Sequence, residues 1–233
     1  MGNYDKTRRR LIKLSFIICH LSLSVVLTAC GDFFEPNEAT LPTAMTLSRH
    51  DVTVMEGDTC VIRPLFTPDS ISNRAVFWMT ADQQVARFLN ADTLVAVGQG
   101  STQAIAISVS DYRKADTCRV SVISRWRLTA YFDYSEDMVV YADIRVHGQP
   151  VSDDMMIGAF CGDELRGVGQ TMERRGVRYT LIRVWGPYAM SNETIIFRCY
   201  DRRRYTLEEF NEALSFDGES HGSPSNLFRL TIE

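Results

Sequence analysis

The sequence lacks an apolar run long enough to form a transmembrane helix. Its most apolar stretch is residues 14–29, which Ser15, His20, Ser22 and Ser24 interrupt. A transmembrane helix needs about 20 consecutive apolar residues, so this stretch is short for one. No comparable run follows it. A membrane-spanning helix is therefore not expected in the rest of the chain.

The chain also lacks the common motifs of catalysis and metal binding. It has no His-Glu-x-x-His, no Gly-x-Ser-x-Gly elbow and no glycine-rich phosphate loop. After residue 29 the histidines are His50, His147 and His221, and none lies beside a plausible nucleophile. We therefore predict no enzyme activity, no catalytic residue, no metal site and no cofactor.

Lysine is rare in this chain. After the N-terminal region the only lysine in the sequence is Lys114. Residues 1–29 hold five of the 25 basic and one of the 29 acidic residues, so the remainder keeps 20 basic and 28 acidic residues, a net charge of −8. This acidity argues against nucleic acid and against a polybasic membrane-binding patch. We interpret Arg202-Arg203-Arg204 as a solvated turn. The alternative is a contact with an acidic glycan.

The N-terminal segment reads as an export signal. A basic region, an apolar region and small residues follow one another in the order typical of a secretory signal. Residues 27–30, Leu-Thr-Ala-Cys, resemble the bacterial lipobox. The resemblance implies cleavage before Cys30 and a diacylglycerol on its thiol, and multiple acyl chains give stable attachment. The alternative is an ordinary cleaved signal with an incidental cysteine.

The residues around Cys30 also bear on localisation. Gly31 follows the cysteine. An aspartate there would resemble an inner-membrane retention signal, so its absence favours the outer membrane, with the chain periplasmic or surface-exposed. We divide this region into a signal peptide at 1–29 and a tether at 30–41.

Residues 42–124 show short alternating segments separated by turn residues. Regular short strands of this kind predict a β-sandwich or a β-barrel, and no stretch has a useful helical period. The segment resembles the bacterial immunoglobulin-like domain, group 2. The resemblance rests on these pieces: "EGD" at 56–58, "FTP" at 66–68, "VFWMTAD" at 76–82, "QVARF" at 84–88, "VAVGQGSTQAIAI" at 95–107 and "TCRVSVI" at 117–123. We interpret Trp78 as a core residue and the domain as a spacer.

Residues 125–233 predict a second β unit. Alternation places Leu128, Ala130 and Phe132 on one face. It places Val139, Tyr141, Asp143 and Arg145 on another. Residues 206–214 are the one helical candidate, because Thr206 and Glu209 have capping-box spacing. The alternative is that part of this short segment is an extended approach to Phe216. "IGAFCGDELRGVG", "IIFRCYD" and "SFDGESHGSPSN" resemble a β-sandwich module of surface and secreted proteins from anaerobic Gram-negative bacteria. That resemblance implies architecture and an extracellular setting, and no chemistry.

Four cysteines remain after Cys30, an even number that permits disulfides outside the cytoplasm. We predict that Cys60 pairs with Cys118, because both lie on apolar strand faces and the family resemblance places them at nearby levels. Cys161 with Cys199 is a second candidate pair, based on their shared domain and inward faces. The alternative is buried free thiols that act as small hydrophobic residues.

Three further features are candidate binding elements. Asp163 and Glu164 in "CGDE" could offer metal ligands, but a polar hairpin turn that pairs with Arg166 is favoured. "DGES" at 217–220 lacks the full calcium-loop spacing, so a solvated loop is favoured. Aromatic residues near turns could stack on sugars, although exposed aromatics also flank ordinary loops; these are Phe33, Phe34, Tyr112, Tyr188 and Tyr205.

The sequence thus predicts an all-β chain of two tandem β-sandwich domains after a lipoprotein signal peptide. Its predicted role is non-catalytic binding or adhesion at the outer membrane, with a glycan or a surface protein as partner and the lipid as the membrane anchor. The first alternative is an accessory glycan-binding lipoprotein of a polysaccharide uptake system. The second is an enzyme domain in the C-terminal half. Fold class does not choose among them.

Overall fold

The computed structural model describes residues 41–129, 131–174, 176–188 and 191–233. The regular elements in these ranges are strands, apart from a short 3-10 helix at Tyr131–Asp133. No helix in the described ranges is long and apolar enough to cross a membrane. The all-β fold class is therefore confirmed.

The first half contains nine strands. Their bounds are β1 Ala44–Leu47, β2 Asp51–Met55, β3 Thr59–Val61, β4 Pro64–Thr67, β5 Val76–Thr80, β6 Ala86–Phe88, β7 Thr93–Ala96, β8 Gly100–Ser108 and β9 Ala115–Ile123. One sheet has the order β2-β9-β8-β5 and a second has the order β3-β7-β6, while β1 pairs with β4. Strand β2 is parallel to β9, and the other pairs are antiparallel.

The facing sheets of the first half enclose one apolar core. Alternate residues of β8 and β9 are buried, as the period of two requires. Ile62, Leu94 and Val120 lie at its centre and are fully buried. Trp78 packs against this core with its ring 4.7 Å from Phe88, which agrees with its predicted role.

The second half contains another nine strands. Their bounds are β10 Glu136–Val146, β11 Gln149–Pro150, β12 Met155–Cys161, β13 Glu164–Arg174, β14 Val177–Gly186, β15 Thr194–Asp201, β16 Thr206–Ser215, β17 Ser220–His221 and β18 Phe228–Ile232. The strand order is β11-β10-β14-β13-β12-β15-β16. Strands β17 and β18 pair with the edge of β10 that lies opposite β14.

Strand β13 connects the two layers of this second sandwich. Its first part, to Val168, pairs with β12, and its second part, from Gly169, pairs with β14. Gly167 lies at this corner, where a Cβ atom would stand 2.5 Å from the carbonyl oxygen of Arg183. The absence of a side chain lets the two backbones approach closely. The core between the layers includes Met138, Ile182 and Phe197.

Two local predictions in the second half are wrong. Residues 206–215 form strand β16, which pairs with β15, so the capping-box spacing at Thr206 did not start a helix. Residues 124–129, with Leu128, form no strand, and the chain instead reaches the 3-10 helix that contains Phe132. Ala130 lies outside the described residues.

The two halves meet in a small apolar cluster, which we call the junction cluster: Met55, Trp126, Phe160 and Tyr200. The Trp126 ring lies 5.2 Å from Phe160 and 6.4 Å from Tyr200 in edge-on geometry. The Met55 amide donates to the Tyr200 hydroxyl at 3.1 Å. The first half is thus held against the second by burial and by a directional bond.

Candidate functional site

The predicted lipidation residue Cys30 lies outside the described residues, as do Phe33 and Phe34. Their assignments therefore stay predictions. The structure describes the other candidate residues.

Cys60 on β3 and Cys118 on β9 are completely buried in the first core. The prediction that both thiols face one core is correct. In the structure both are free thiols, and the disulfide between them stays a prediction for the oxidised protein. Burial raises the pKa of Cys60 to about 12, and the neighbouring Cys118 adds to the shift. Burial likewise raises the pKa of Cys118 to about 11, so neither thiol is a ready nucleophile.

The candidate pair Cys161–Cys199 does not fit the strand register. Cys161 lies opposite Ile195 and Cys199 lies opposite Ile157, so the two cysteines are four residues apart along neighbouring strands. That offset corresponds to about 13 Å, well beyond the roughly 7 Å that a disulfide can bridge. The strand register therefore argues against this pair, and both cysteines are free thiols in this fold.

The "CGDE" segment is the tight hairpin between β12 and β13. Cys161 pairs with Glu164, so Gly162 and Asp163 form the turn, and Gly162 takes φ = +59°. Asp163 pairs with Arg198 at 3.6 Å, and Glu164 pairs with Arg166 at 3.1 Å. Both carboxylates are thus engaged by arginines, in line with the favoured interpretation.

The buried guanidinium of Arg166 is the centre of a charge cluster beside this hairpin, in which the Glu164 side chain is half-exposed. Its guanidinium is within 3.4 Å of Glu193 and lies 4.2 Å from the centre of the Tyr134 ring. The Tyr134 hydroxyl donates to Glu164. Burial raises the pKa of Tyr134 to about 12, and its bond to Glu164 adds to the shift. This cluster ties the hairpin to the segments before β10 and β15 through ion pairs and the Tyr134 contacts, although Arg166 Nε makes no hydrogen bond there.

The loop at 217–220 is organised by Asp217. This carboxylate accepts the Glu219 amide at 2.9 Å and contacts the His221 imidazole at 3.1 Å. Burial opposes ionisation of Asp217, but these bonds outweigh it and lower its pKa. Across the described ranges, no group of three or more acidic, histidine or cysteine side chains is placed to hold a metal ion.

The arginine run lies at the junction between the two halves. Arg202 pairs with Asp58 at 3.5 Å, and Arg203 pairs with Asp154 at 3.6 Å. Arg49 donates to the carbonyls of Arg203 and Arg204. Tyr205, in the same turn, packs against the first core beneath Arg49. Tyr205 is therefore a junction residue, whereas Tyr112 and Tyr188 are exposed.

The most promising ligand surface is the solvent side of β10 and β14, which we call the outer face. From Met138 to Val146 and from Thr180 to Gly186 the even-numbered residues are buried, so the odd-numbered ones between them point away from the core. Those outward residues are rich in rings and charges: Asp137, Tyr141, Asp143, Arg145, Arg183 and Trp185, with the ring of Tyr179 beside them only 7% exposed. The last pair between β10 and β14 is Ala142 with Thr180. Continuing this register by one residue places Asp143 opposite Tyr179.

The rings and charged groups of the outer face support one another. The Tyr141 and Tyr179 rings are 5.9 Å apart, and the Arg183 guanidinium lies 5.7 Å from the Trp185 ring centre. Arg183 also pairs with Asp137 at 3.4 Å, and Arg145 pairs with Asp143 at 3.2 Å. Planar rings beside charged hydrogen-bonding groups suit a ligand with both apolar faces and polar edges.

A groove of about 350 Å³ runs beside the Tyr179 end of the outer face. Asp143, Arg145 and Arg178 supply its charged lining, while Pro150 and Val151 form an apolar wall. Sequence analysis placed Tyr141, Asp143 and Arg145 on one face. It did not identify them as a site, because Tyr179 and Trp185 come from a distant strand.

The comparisons with known proteins are weak. No family model matches the chain. The chain is 28% identical over 121 residues to an uncharacterized protein of Clostridium acetobutylicum, a match that spans 50% of this chain and only 12% of that protein. The resemblance to group 2 bacterial immunoglobulin-like domains therefore stays a prediction.

Solved structures with some likeness include surface-layer protein domains and fibronectin(III)-like modules. Domains 5–6 of the surface-layer protein SbsC are 12% identical, with coverage of 78% of this chain and 99% of that chain and a TM-score of 0.32. The fibronectin(III)-like modules of CbhA from Clostridium thermocellum are 11% identical, with coverage of 76% and 94% and a TM-score of 0.26. At such low scores these likenesses carry no functional argument, and the fold class rests on the sheets described above.

Proposed function

We propose that the chain is an acylated outer-membrane lipoprotein with a non-catalytic binding or adhesion role. Three features support the proposal: the lipobox at residues 27–30, the spacer-like first sandwich, and the outer face of the second. The outer face is the observation that carries the binding role, because it places the half-buried rings of Tyr141 and Trp185 beside two arginine–carboxylate pairs on one surface.

In this proposal the first sandwich holds the second away from the membrane. The junction cluster fixes the relation between them, so the outer face is presented in a defined orientation rather than on a free linker. Pre-orientation of a binding surface lowers the entropy lost on binding.

A glycan is the ligand class that the outer face favours. The C–H faces of sugars stack on aromatic rings, and paired charged side chains offer donors and acceptors to hydroxyl groups. The groove beside Tyr179 has walls on which a chain of sugar units could rest. This agrees with the alternative role as an accessory glycan-binding protein of an uptake system.

The binding role is tested with a glycan array probed with the full chain. We expect selective binding that Tyr141→Ala or Trp185→Ala weakens strongly, while the control Tyr112→Ala, at an 82% exposed tyrosine on the other half, leaves it unchanged. Equal binding by all of these variants would place the ligand elsewhere. Absence of any glycan ligand would leave a protein ligand for the same face, to be tested with the same variants.

The anchor is tested separately. Cys30→Ser should abolish incorporation of labelled palmitate and release the protein from the membrane fraction. Continued lipidation of that variant would refute the lipoprotein assignment without bearing on the outer face.

A further inference from the structure

The exposed edge of the first sandwich carries an apolar patch. On β5, Phe77 is 60% exposed and Met79 is 41% exposed. Their neighbours across the β5–β8 pairing are Ile107 and Ile105, which are half-buried on the same side of the sheet. A contiguous apolar patch on the solvent side of a sheet marks an interaction surface.

Strand β5 is also the end of its sheet. The order β2-β9-β8-β5 leaves one side of β5 without a strand partner among the described residues. The amide of Ala81 donates to Gln103 at 2.9 Å, and the amide of Val109 donates to Ala75 at 3.0 Å, so odd-numbered residues direct their backbone groups to β8. By alternation, the N–H and C=O groups of Val76, Trp78 and Thr80 point to the open side.

An open edge of this kind is a template for another strand. The charges that flank β5 indicate which strand fits. Arg74, which also pairs with Asp69 of its own chain at 2.5 Å, precedes β5, and Asp82 follows it. Both are exposed, and each lies four residues from Trp78. If two copies of β5 pair antiparallel about a twofold axis at Trp78, Arg74 of each copy stands opposite Asp82 of the other.

The same register satisfies the other groups of the edge. Phe77 faces Met79 of the second copy, which joins the two apolar patches, and Val76 faces Thr80 as a hydrogen-bonded pair. The alternative twofold registers centred on Phe77 or Met79 would place Arg74 opposite Thr80 or Gln84, without a charge partner. Only the register about Trp78 matches backbone bonds, apolar contacts and opposite charges together.

We propose that β5 is a self-association edge, through which a second copy of this chain binds antiparallel to the first. The contact is isologous, so it forms a closed pair. Stable protein interfaces bury roughly 1,200–2,000 Å² of surface. Pairing through one five-residue strand buries much less, so we expect the dimer to be weak in solution. Copies anchored in one membrane, as proposed above, would be concentrated enough to favour it. The association itself does not depend on that anchoring.

The first test is sedimentation equilibrium of the full chain in detergent with charge-reversed variants. Arg74→Asp should weaken dimerisation about tenfold, because two attractive pairs become repulsive. The double variant Arg74→Asp/Asp82→Arg should restore it, because the charges are exchanged and complementary again. The control Arg229→Asp makes the same charge change at an exposed arginine of the second half and should have no effect.

The second test does not depend on those charges, since Asp82 also accepts the Gln84 amide and its reversal could disturb the fold. Phe77→Cys and Met79→Cys chains, mixed and oxidised, should form a disulfide between the two different variants, since directly opposed side chains lie within bridging distance. Neither variant alone should cross-link comparably.

A chain that stays monomeric at the highest soluble concentration would overturn the proposal. So would dimerisation that Arg74→Asp leaves unchanged, or mixed and oxidised Phe77→Cys and Met79→Cys chains that form no disulfide with each other.

Discussion

At the scale of single residues, the Tyr200 hydroxyl makes a polar contact within the otherwise apolar junction cluster. It accepts the Met55 amide at 3.1 Å, and both residues are buried. Tyr200→Phe would leave that amide without an acceptor and away from water. We expect the free energy of unfolding to fall by about 1–3 kcal/mol, measured by urea denaturation of the full chain.

The matched control is Tyr112→Phe, which removes a hydroxyl from a ring that is 82% exposed and should change stability little. Equal unfolding midpoints for the two variants would show that the junction bond contributes nothing to stability.

Asp116 predicts a pH dependence of stability at the same scale. Burial would raise its pKa, but bonds from the Leu47 and Thr117 amides and from His50 and Thr46 outweigh burial and lower it. A lowered folded-state pKa gives stability that is present above the unfolded value of about 3.9 and is lost as pH falls through the folded value. Asp116→Asn should therefore cost roughly 1–2 kcal/mol near pH 7, a difference that shrinks below about pH 4.

Asp69→Asn provides the comparison, since the Asp69 side chain is 87% exposed and its loss should matter little at either pH. A stability difference for Asp116→Asn that is the same at pH 7 and pH 3 would contradict this explanation.

At the scale of elements, the corner of β13 depends on a close backbone approach. A Cβ at Gly167 would lie 2.5 Å from the Arg183 carbonyl oxygen, so Gly167→Ala must push β13 from β14. We expect a loss of about 2–3 kcal/mol in the free energy of unfolding. Gly162→Ala meets no atom within 4 Å and should cost only the strain of its positive φ, about 1–2 kcal/mol. A smaller loss at Gly167 than at Gly162 would argue against a tight corner.

The elements also show which signals in the sequence were sufficient. The hairpin at Gly162-Asp163 was predictable because a turn needs only local residues. Strand β16 was not, because the spacing of Thr206 and Glu209 is a local helix signal that pairing with β15 overrides. Phe210 and Phe216 are also buried in the second core, so contacts with residues distant in the sequence stabilise β16 as a strand.

At the scale of the whole molecule, the two-unit layout was readable from strand spacing, while surfaces that combine distant segments were not. Tyr141 and Tyr179 meet only after β14 folds back on β10, and Met55 meets Tyr200 only across the junction. Period-two alternation groups residues by face, but it does not say which face a neighbouring unit covers. The outer face, the junction cluster and the β5 edge all depend on that information.

The junction bears on whether the halves are independent. Strands β1 to β9 end at Ile123, and strands β10 to β18 begin at Glu136. Each group forms its sheets without strands from the other group, so we predict that fragments 42–124 and 125–233 fold separately with cooperative melting. Separation exposes Met55 and Ile123 on one fragment and Trp126, Phe160 and Tyr200 on the other. We therefore expect each fragment to be less stable than it is in the joined chain, by about 1–3 kcal/mol for the first.

Met55→Ala distinguishes a junction effect from a core effect. In the full chain Met55 is 1% exposed, and its truncation should cost about 2–5 kcal/mol. In fragment 42–124 its partners from the second half are missing, so the same substitution should cost much less, as measured by urea denaturation of both proteins. Equal losses would place Met55 in the core of the first sandwich. Cooperative melting of the joined chain alone, with neither fragment folding, would show that the halves share one core, because burial at the junction would then be needed for either sandwich to form.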